Sequence, residues 1–279
     1  MTKTDYVTTR DGRELFVRDW GSGSPILFLA GWSMTSDLWG ELMVPLVDRG
    51  FRAVAYDRRG HGRSSDAGSV DYDSLADDLA EVIWARGLQG CTVVAHSGAV
   101  GEVMRCVARH GAEPIARAVF VGAQGPCVLQ RDDSPDGLSP ETFDTLMARL
   151  KGDYQAWLDE NLEAFAPQAS RRTLDWVYLM VRACSRQMGI DVQYVFAGAD
   201  LRAEAAALDL PVTIIHGDRD ASAPIDRTAR RYASLIRGAK LIVYEGAAHG
   251  LMLTHAQRLT DDIVEAVRGT AEAGDRAAA

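Results

Sequence analysis

The sequence predicts an α/β protein with a mostly parallel sheet of about eight strands, helices on both faces and a helical cap. Short apolar runs alternate with segments of helical period from the N-terminus to about residue 121. Residues 124–207 carry helix signals and no convincing strand, and the alternation then returns. We therefore expect a core made of residues 1–122 and 208–279, with residues 123–207 inserted as the cap.

Apolar runs bounded by turn residues predict the strands. Asp11-Gly12 lies between the first two runs and is typical of a hairpin turn. The later runs are continuously apolar, as expected for strands covered on both faces of a parallel sheet. The predicted strands are Tyr6–Thr9, Glu14–Asp19, Pro25–Ala30, Phe51–Ala55, Cys91–Ala95, Ala116–Val121, Pro211–His216 and Lys240–Tyr244.

Helical spacing of apolar residues predicts the segments between the strands. In the cap, Ser139-Pro140-Glu141 is typical of a helix start, with a capping serine and a proline in the first turn. The Ala- and Gly-rich tail Gly269–Ala279 is expected to fray. The other predicted helices are Asp37–Asp48, Asp73–Arg86, Gly98–His110, Tyr154–Phe165, Arg171–Arg186, Asp191–Gly198, Asp226–Arg237 and His255–Arg268.

The composition argues against several classes of partner. The 279 residues carry a formal net charge of −9, whereas a nucleic-acid partner requires a basic face. The longest apolar runs fall far short of the roughly 20 residues that span a bilayer. The N-terminus has no apolar segment typical of a secretory signal, so we expect a cytoplasmic protein. The composition is compatible with a homo-oligomer.

The sequence indicates neither a metal nor a cofactor. The four cysteines, at positions 91, 106, 127 and 184, are widely spaced and form no C-x-x-C pair, which favours buried free thiols. The histidines are not paired with each other or with cysteine at metal-ligand spacing. No G-x-G-x-x-G loop follows the first strand, so no dinucleotide site is expected.

The stretch "VVAHSGAVGEV" places Ser97 directly after a predicted strand and before a predicted helix. A nucleophilic serine at such a sharp turn usually stands in the pattern G-x-S-x-G. Here Ala95 and Ala99 replace the two glycines, each adding one methyl group where strand and helix cross. Ser97 is therefore a candidate nucleophile, and the competing interpretation is a helix-capping serine.

A serine hydroxyl needs a base to take its proton and a third group to orient that base. Where the nucleophilic serine lies at such a turn, the expected order along the chain is serine, then acid, then histidine. The acid should therefore follow a later strand, and the histidine should lie near the C-terminus. His249 follows the last predicted strand, and Asp218 and Asp220 follow the strand before it. We predict Asp220 as the acid because it lies further from the strand, with Asp218 shaping the loop.

Two backbone N–H groups should stabilise the negative oxygen that forms during attack on a carbonyl. One is expected from Gly98, the residue after the candidate nucleophile. The other is expected from Trp32 in "LAGWSM", the loop after the Pro25–Ala30 strand. The Trp32 ring is also expected to form a wall of the pocket.

The blocks "PILFLAGWSMTSDLW", "FRAVAYDRRGHGRSS", "VVAHSGAVGEVMRCVARHG", "PVTIIHGDRDASAPID" and "EGAAHGLMLTH" resemble those of the α/β-hydrolase fold. The resemblance is narrower to the cofactor-free haloperoxidases and aryl esterases, whose cap block is similar to "VLQRDDSPDGLSPETFDTL". That subgroup usually has His where this chain has Ala30, and G-x-S-x-G at the serine. The resemblance implies an esterase, and a peroxidase activity that is perhydrolysis of a carboxylic acid without haem or metal.

The leading hypothesis is a serine hydrolase acting through an acyl-enzyme on a small to medium apolar ester or lactone, with side perhydrolase activity. Seven aromatic residues of the predicted cap are candidates for the substrate pocket, although helical spacing is more typical of core residues for most of them: Phe143, Trp157, Phe165, Trp176, Tyr178, Tyr194 and Phe196. One alternative is a pathway-specific hydrolase, lyase or cyclase that acts on a secondary metabolite. Another is a ligand-binding member of the fold without turnover, against which the intact Ser, Asp and His argue.

Overall fold

The chain forms an eight-stranded sheet in a computed structural model that describes residues 5–269. The strand order is β1-β2-β4-β3-β5-β6-β7-β8, with β1 and β2 antiparallel to their neighbours and all later pairs parallel. This confirms the predicted sheet, with strand ends shifted by at most two residues. The strands are β1 Tyr6–Thr8, β2 Glu14–Gly21, β3 Pro25–Leu29, β4 Arg52–Tyr56, β5 Cys91–His96, β6 Ile115–Val121, β7 Val212–Gly217 and β8 Lys240–Tyr244.

The continuously apolar strands are buried on both faces of the sheet. In β3, Leu27 and Leu29 join one hydrophobic cluster, while Ile26 and Phe28 join the other. This alternation follows from the two-residue period of a strand, which points successive side chains to opposite faces. Each face therefore needs its own layer of helices.

Eleven α-helices are present in the described part of the chain. They are α1 Gly40–Asp48, α2 Tyr72–Ala85, α3 Ala99–His110, α4 Pro140–Gly152, α5 Tyr154–Phe165, α6 Arg171–Arg182, α7 Arg186–Gly198, α8 Arg202–Ala207, α9 Ala229–Leu235, α10 Leu251–Thr254 and α11 Ala256–Arg268. Helices α2, α3, α8 and α9 contribute buried side chains to the cluster that contains Leu27 and Leu29. Helices α1, α4, α5, α6 and α11 contribute to the cluster that contains Ile26 and Phe28.

Five helices, α4 to α8, lie between β6 and β7 in the chain. Helix α4 begins as predicted, because the Ser139 hydroxyl accepts a hydrogen bond from the N–H of Thr142. Helix α5 has the predicted bounds. The placement of the cap boundaries at residues 123 and 207 stays a prediction.

The predicted helix Arg171–Arg186 is wrong at its end, because α6 stops at Arg182 and α7 starts at Arg186 instead of Asp191. The chain turns between them so that the N–H of Ser185 donates to the carbonyl of Gly60, 2.8 Å away. Apolar spacing continues across this break, so the period alone could not reveal it. The tertiary bond to the core decides where the helix ends.

Four further elements differ from prediction. The Asp226–Arg237 helix is interrupted at Thr228, whose hydroxyl donates to the Pro224 carbonyl, and it becomes a short 3-10 helix followed by α9. A 3-10 turn precedes α1, and the short helices α8 and α10 were not predicted.

Apart from Gly269, the tail expected to fray lies outside the described residues. No helix in residues 5–269 is both long and apolar enough to cross a membrane.

Candidate active site

Ser97 lies at the turn between β5 and α3 with a φ of +59°, in the left-handed region. Its N–H donates to the carbonyl of Val121 on the neighbouring strand, which holds the turn against the sheet. A non-glycine residue in this region costs of order 1–3 kcal/mol, so the surrounding structure must hold it there. The side chain consequently leaves both the strand and the helix and reaches the cavity above them.

Ala95 and Ala99 are both fully buried on either side of Ser97. Ser97 and Ser33 are the non-glycine residues with positive φ within residues 5–269, so neither alanine occupies a conformation that favours glycine. The position beside the serine at which packing requires glycine is Gly98. A Cβ at Gly98 would stand 2.0 Å from the Phe196 ring.

His249 and Asp220 lie in the loops after β8 and β7, and both come to Ser97. The His249 Nε2 atom is 3.1 Å from the Ser97 hydroxyl oxygen. The His249 Nδ1 atom is 2.6 Å from the Asp220 Oδ2 atom. Ser97, His249 and Asp220 therefore form a continuous hydrogen-bonded chain, so the structure brings together the three residues singled out in the sequence.

Asp220 is buried and its carboxylate is fully partnered. Its Oδ1 atom accepts the N–H of Ala223 at 2.7 Å, and the His216 ring lies 3.3 Å from Oδ2. Burial opposes ionisation, but His249 and the other donors outweigh it and hold the pKa of Asp220 below its usual value. Asp220 is thus an anion that orients the His249 ring.

Asp218 has the loop-shaping position that was expected of it. Its carboxylate is exposed and accepts the N–H of Gly246 at 2.7 Å, joining the two loops that carry Asp220 and His249. Its own N–H donates to the carbonyl of Tyr244. It supports the geometry of the site from outside.

The loop after β3 lies directly against Ser97. A Cβ at Gly31 would stand 3.1 Å from the Ser97 Cβ and 2.6 Å from the His96 Nδ1 atom, so this position requires glycine. Trp32 follows, and its indole N–H donates to the carbonyl of Gly189 on α7 at 2.6 Å. Gly98 caps α3, where the first N–H groups of the helix have no partner within it. Both predicted N–H donors therefore belong to segments that flank the serine.

His96 is buried beside the chain formed by Ser97, His249 and Asp220, with its ring centroid 4.6 Å from that of His249. Neither of its ring nitrogens has a hydrogen-bond partner. Burial, with the neighbouring His249, lowers its pKa well below the usual value. His96 is consequently a neutral ring that packs against His249.

A cavity of about 350 Å³ opens above Ser97 and His249. Besides the two histidines, the lining residues in the described chain carry no ionisable side chain, and the polar groups among them include the amides of Gln124 and Gln193. Of the predicted aromatic residues, Phe143, Trp157 and Phe165 line the cavity, as do Trp32 and the aliphatic side chains Met34, Val128, Leu138, Leu146, Met147, Leu150, Leu158, Leu162 and Val181.

The remaining aromatic candidates of the cap lie elsewhere. Trp176 and Tyr194 are exposed, and Tyr178 is half-buried. Phe196 packs on α3 and stacks on Tyr72, with ring centroids 5.5 Å apart. Helical spacing alone could not separate the residues that face the cavity from those that face solvent or the core.

The sequence interpretation missed Arg58 and Glu102, which form a buried ion pair beside the site. Arg58 also donates to the carbonyl oxygens of Ala30 and Gly31. One signal was present in the sequence. Glu102 stands on the apolar face of α3, at helical spacing from Ala99 and Cys106, and a buried carboxylate there requires a buried cation.

No group of three or more metal-ligating side chains occurs in the part of the chain that the structure describes. The four cysteines are free and buried, in agreement with prediction. His61 is buried, and its Nδ1 atom bonds the carbonyl of Arg59. His216 bonds the carbonyl of Ala223, so these two rings serve the loops that carry them.

Residues 24–256 match the family model of the alpha/beta hydrolase fold. The chain belongs to the α/β-hydrolase fold family. It is 37% identical over 267 residues to a non-heme haloperoxidase of Rhodococcus erythropolis, covering 93% of this chain and 97% of the relative. It is 36% identical over 276 residues to a bifunctional esterase/perhydrolase of Acinetobacter calcoaceticus, covering 94% and 99%.

Solved structures agree with this family assignment. An esterase from Exiguobacterium antarcticum superposes with a TM-score of 0.91 at 26% identity, covering 95% of this chain and all (100%) of that one. A bromoperoxidase from Bacillus anthracis superposes with a TM-score of 0.89 at 28% identity, covering 94% and 98%. This member of the α/β-hydrolase family is an enzyme, and its relatives support hydrolase or esterase activity.

Proposed function

We propose that the protein is a serine esterase or lactonase in which Ser97, His249 and Asp220 form the catalytic triad. The observation that carries the proposal is the hydrogen-bonded chain from the Ser97 hydroxyl through His249 to Asp220, with distances of 3.1 and 2.6 Å. It lies at the floor of the apolar cavity. A helix-capping role would require neither the left-handed turn nor the two partners.

In the acylation step, the Ser97 oxygen attacks the ester carbonyl while His249 Nε2 takes the hydroxyl proton. The negative charge that develops on the carbonyl oxygen is stabilised by the backbone N–H groups of Trp32 and Gly98. His249 then gives its proton to the departing alkoxide, which leaves as the alcohol. Asp220 holds the ring in the tautomer that carries a proton on Nδ1.

In the deacylation step, His249 takes a proton from water, and the hydroxide attacks the acyl-enzyme. The bond between the acyl carbon and the Ser97 oxygen breaks, and His249 returns the proton to the serine. Hydrogen peroxide in place of water would release a peroxy acid by the same proton transfers. The 36% identity with a bifunctional esterase/perhydrolase supports testing this second acceptor.

The cavity favours a neutral substrate. A charged acid or amine would lose its hydration against a lining without an ion-pair partner, at a cost of several kcal/mol. Aliphatic and aromatic side chains supply the transfer free energy of an apolar acyl or alcohol group. The amides of Gln124 and Gln193 offer hydrogen bonds to a carbonyl or hydroxyl group on a larger metabolite.

The test of the triad is a Ser97→Ala variant. We expect hydrolysis of p-nitrophenyl acetate to fall by several orders of magnitude, because the side chain forms the covalent intermediate. Circular dichroism should be unchanged, since no core packing is lost. A fluorophosphonate probe should label the wild-type protein on Ser97 and leave the variant unlabelled.

The alternative hypotheses give different results in the same assays. Label on another residue, or near-wild-type turnover by the folded variant, would remove Ser97 from the mechanism. A non-catalytic binding protein would show ligand binding with neither label nor turnover. A lyase or cyclase would label on Ser97 and would leave simple esters untouched.

A further inference from the structure

Arg58, two residues after β4, carries a buried guanidinium that spans the two segments expected to hold the oxyanion. It is 4% exposed. Its Nη2 atom donates to the carbonyl of Ala30 at 2.6 Å, and its Nη1 atom donates to the carbonyl of Gly31 at 3.1 Å. Its Nε atom donates to the Glu102 carboxylate at 2.8 Å. Glu102 is on α3, the helix that begins beside Ser97.

The bond to Gly31 has a directional consequence. The Gly31 carbonyl and the Trp32 N–H belong to one peptide group, which is planar and trans. In a trans peptide these two groups point in opposite directions, so a donor that holds the carbonyl also sets the direction of the N–H. Gly31 lies against Ser97, since a Cβ at this position would stand 3.1 Å from the Ser97 Cβ.

The charge of Arg58 adds an electronic effect to the positional one. A cation that bonds the carbonyl polarises the peptide and strengthens the N–H as a donor. The Phe196 ring lies over the guanidinium, 5.4 Å from its carbon, and separates it from solvent. Burial opposes the charge of Arg58, but Glu102 outweighs it and keeps the pKa of Arg58 above its usual value.

We infer that Arg58, anchored by Glu102, is a positioning residue that aims and polarises the Trp32 N–H at the oxyanion. The inference rests on the proposed function, because it concerns the transition state of ester hydrolysis. Arg58 does not touch the substrate and acts through the Gly31–Trp32 peptide. The effect should therefore appear in kcat and in the binding of tetrahedral adducts, and KM should change little.

The neighbouring pair Arg59 and Asp78 is a matched control. Arg59 is also buried and donates to the Asp78 carboxylate through its Nε and Nη2 atoms at 2.6 and 2.5 Å. Its other side-chain contact is Asp11, which lies away from the β3 loop. Replacing Arg59 removes a comparable buried ion pair and leaves the Gly31–Trp32 peptide untouched.

The experiment compares Arg58→Lys with Arg59→Lys in steady-state hydrolysis of a p-nitrophenyl ester and in inhibition by phenylboronic acid. Boronic acids form a tetrahedral adduct with the serine oxygen and place an oxygen where the oxyanion forms. We expect Arg58→Lys to lower kcat by about 10- to 100-fold, a smaller loss than removal of an oxyanion donor. Boronate affinity should fall in parallel, KM should stay within threefold, and Arg59→Lys should keep wild-type kcat.

A double variant covers the case in which Arg58→Lys does not fold. Replacing a buried ion pair by apolar side chains is often neutral or stabilising, so Arg58→Met/Glu102→Met should fold. It should show the same loss of kcat and boronate affinity, while Arg59→Met/Asp78→Met should not.

Equal kcat in the two double variants, or equal losses in the two lysine variants, would overturn the inference. Wild-type protein that neither hydrolyses esters nor reacts with a fluorophosphonate would overturn the proposed function, and this inference with it.

Discussion

The two aspartates of the loop after β7 show how a spacing of two residues separates two roles. Asp220 turns inward and bonds His249, whereas Asp218 turns outward and bonds the Gly246 N–H. The first bond favours the tautomer of His249 that carries a proton on Nδ1, and the second shapes a loop. Substituting each carboxylate by its amide keeps the volume and changes only what it can accept or donate.

We expect Asp220→Asn to lower kcat/KM for a p-nitrophenyl ester by about 10³- to 10⁴-fold, since an amide can donate to Nδ1 and favour the wrong tautomer of His249. Asp218→Asn should stay within a few-fold of wild type, because the amide oxygen still accepts the Gly246 N–H. Steady-state kinetics of the two purified variants decide the matter. The reverse ranking would transfer the acid role to Asp218.

The positions of Ser97, His249 and Asp220 could be predicted from sequence because each lies in the turn or loop that follows a strand, within five residues of its end. Parallel strands bring their carboxyl ends to one edge of the sheet, so residues far apart in the chain converge there. Arg58 could not be placed in the same way. Its function depends on which carbonyl groups its side chain reaches across the β3 loop, and residue type and spacing do not encode that.

At the scale of the element, the turn between β5 and α3 tolerates alanine on both sides of the serine. Ala95 is in the strand, Ala99 is in the helix, and both are fully buried with ordinary backbone angles. The left-handed residue is Ser97 itself. The close approach of α7 falls on Gly98, where Phe196 leaves no space for a Cβ.

We expect the Ala95→Gly/Ala99→Gly variant to be less stable and equally active. Each site loses a buried methyl, worth about 0.8 kcal/mol, and gains backbone freedom in the unfolded chain, worth about 0.5–1 kcal/mol. Urea unfolding should show a loss of roughly 3 kcal/mol, with kcat/KM for a short ester unchanged within threefold.

A matched control for the turn is Ala53→Gly/Ala80→Gly, which makes the same two changes in β4 and α2, away from the serine. It should lose a similar free energy of unfolding. A tenfold rise of kcat/KM in the Ala95/Ala99 variant alone, about 1.4 kcal/mol of transition-state stabilisation, would contradict simple tolerance. It would show instead that the two methyl groups hold the turn in a geometry suited to a less common substrate.

Prediction of the elements succeeded where local sequence decides the outcome and failed where tertiary contacts do. Helix α4 starts at Ser139-Pro140 because the cap is local. The break between α6 and α7 comes from a bond between Ser185 and Gly60, residues that are distant in the chain. The interruption at Thr228 comes from a hydroxyl that competes for backbone carbonyls, an effect that helical period does not register.

At the scale of the whole molecule, the candidate active site is built where several loops of the central sheet meet. The loops after β3, β5, β7 and β8 carry the predicted catalytic and oxyanion groups, and these strands run parallel in one sheet. Several histidines support those loops from inside the fold. They are neutral in place, which links the stability of the fold to pH.

His61 gives the clearest case of this linkage. It is fully buried, and burial together with the charge of Arg58 lowers its pKa from 6.5 to about 3. The unfolded chain therefore binds a proton at this position below pH 6.5, and the folded protein does not until about pH 3. The neutral ring contributes its full stability above pH 6.5 and loses it progressively as the pH falls.

We expect the stability of the wild type relative to a His61→Gln variant to fall with acidification, because the glutamine does not titrate. One proton linked to unfolding changes the free energy by about 1.4 kcal/mol per pH unit, so the difference should shrink by about 2 kcal/mol between roughly pH 6.5 and pH 5. Urea unfolding of both proteins at several pH values measures it. Taking the difference cancels the other groups that titrate in both proteins, and His255→Gln controls for the loss of one histidine as such. A difference that stays constant from pH 7 to pH 5 would mean that His61 takes up its proton over the same pH range in the folded protein as in the unfolded chain. The folded imidazolium would then need an anionic partner in place of the Arg59 carbonyl that the ring contacts.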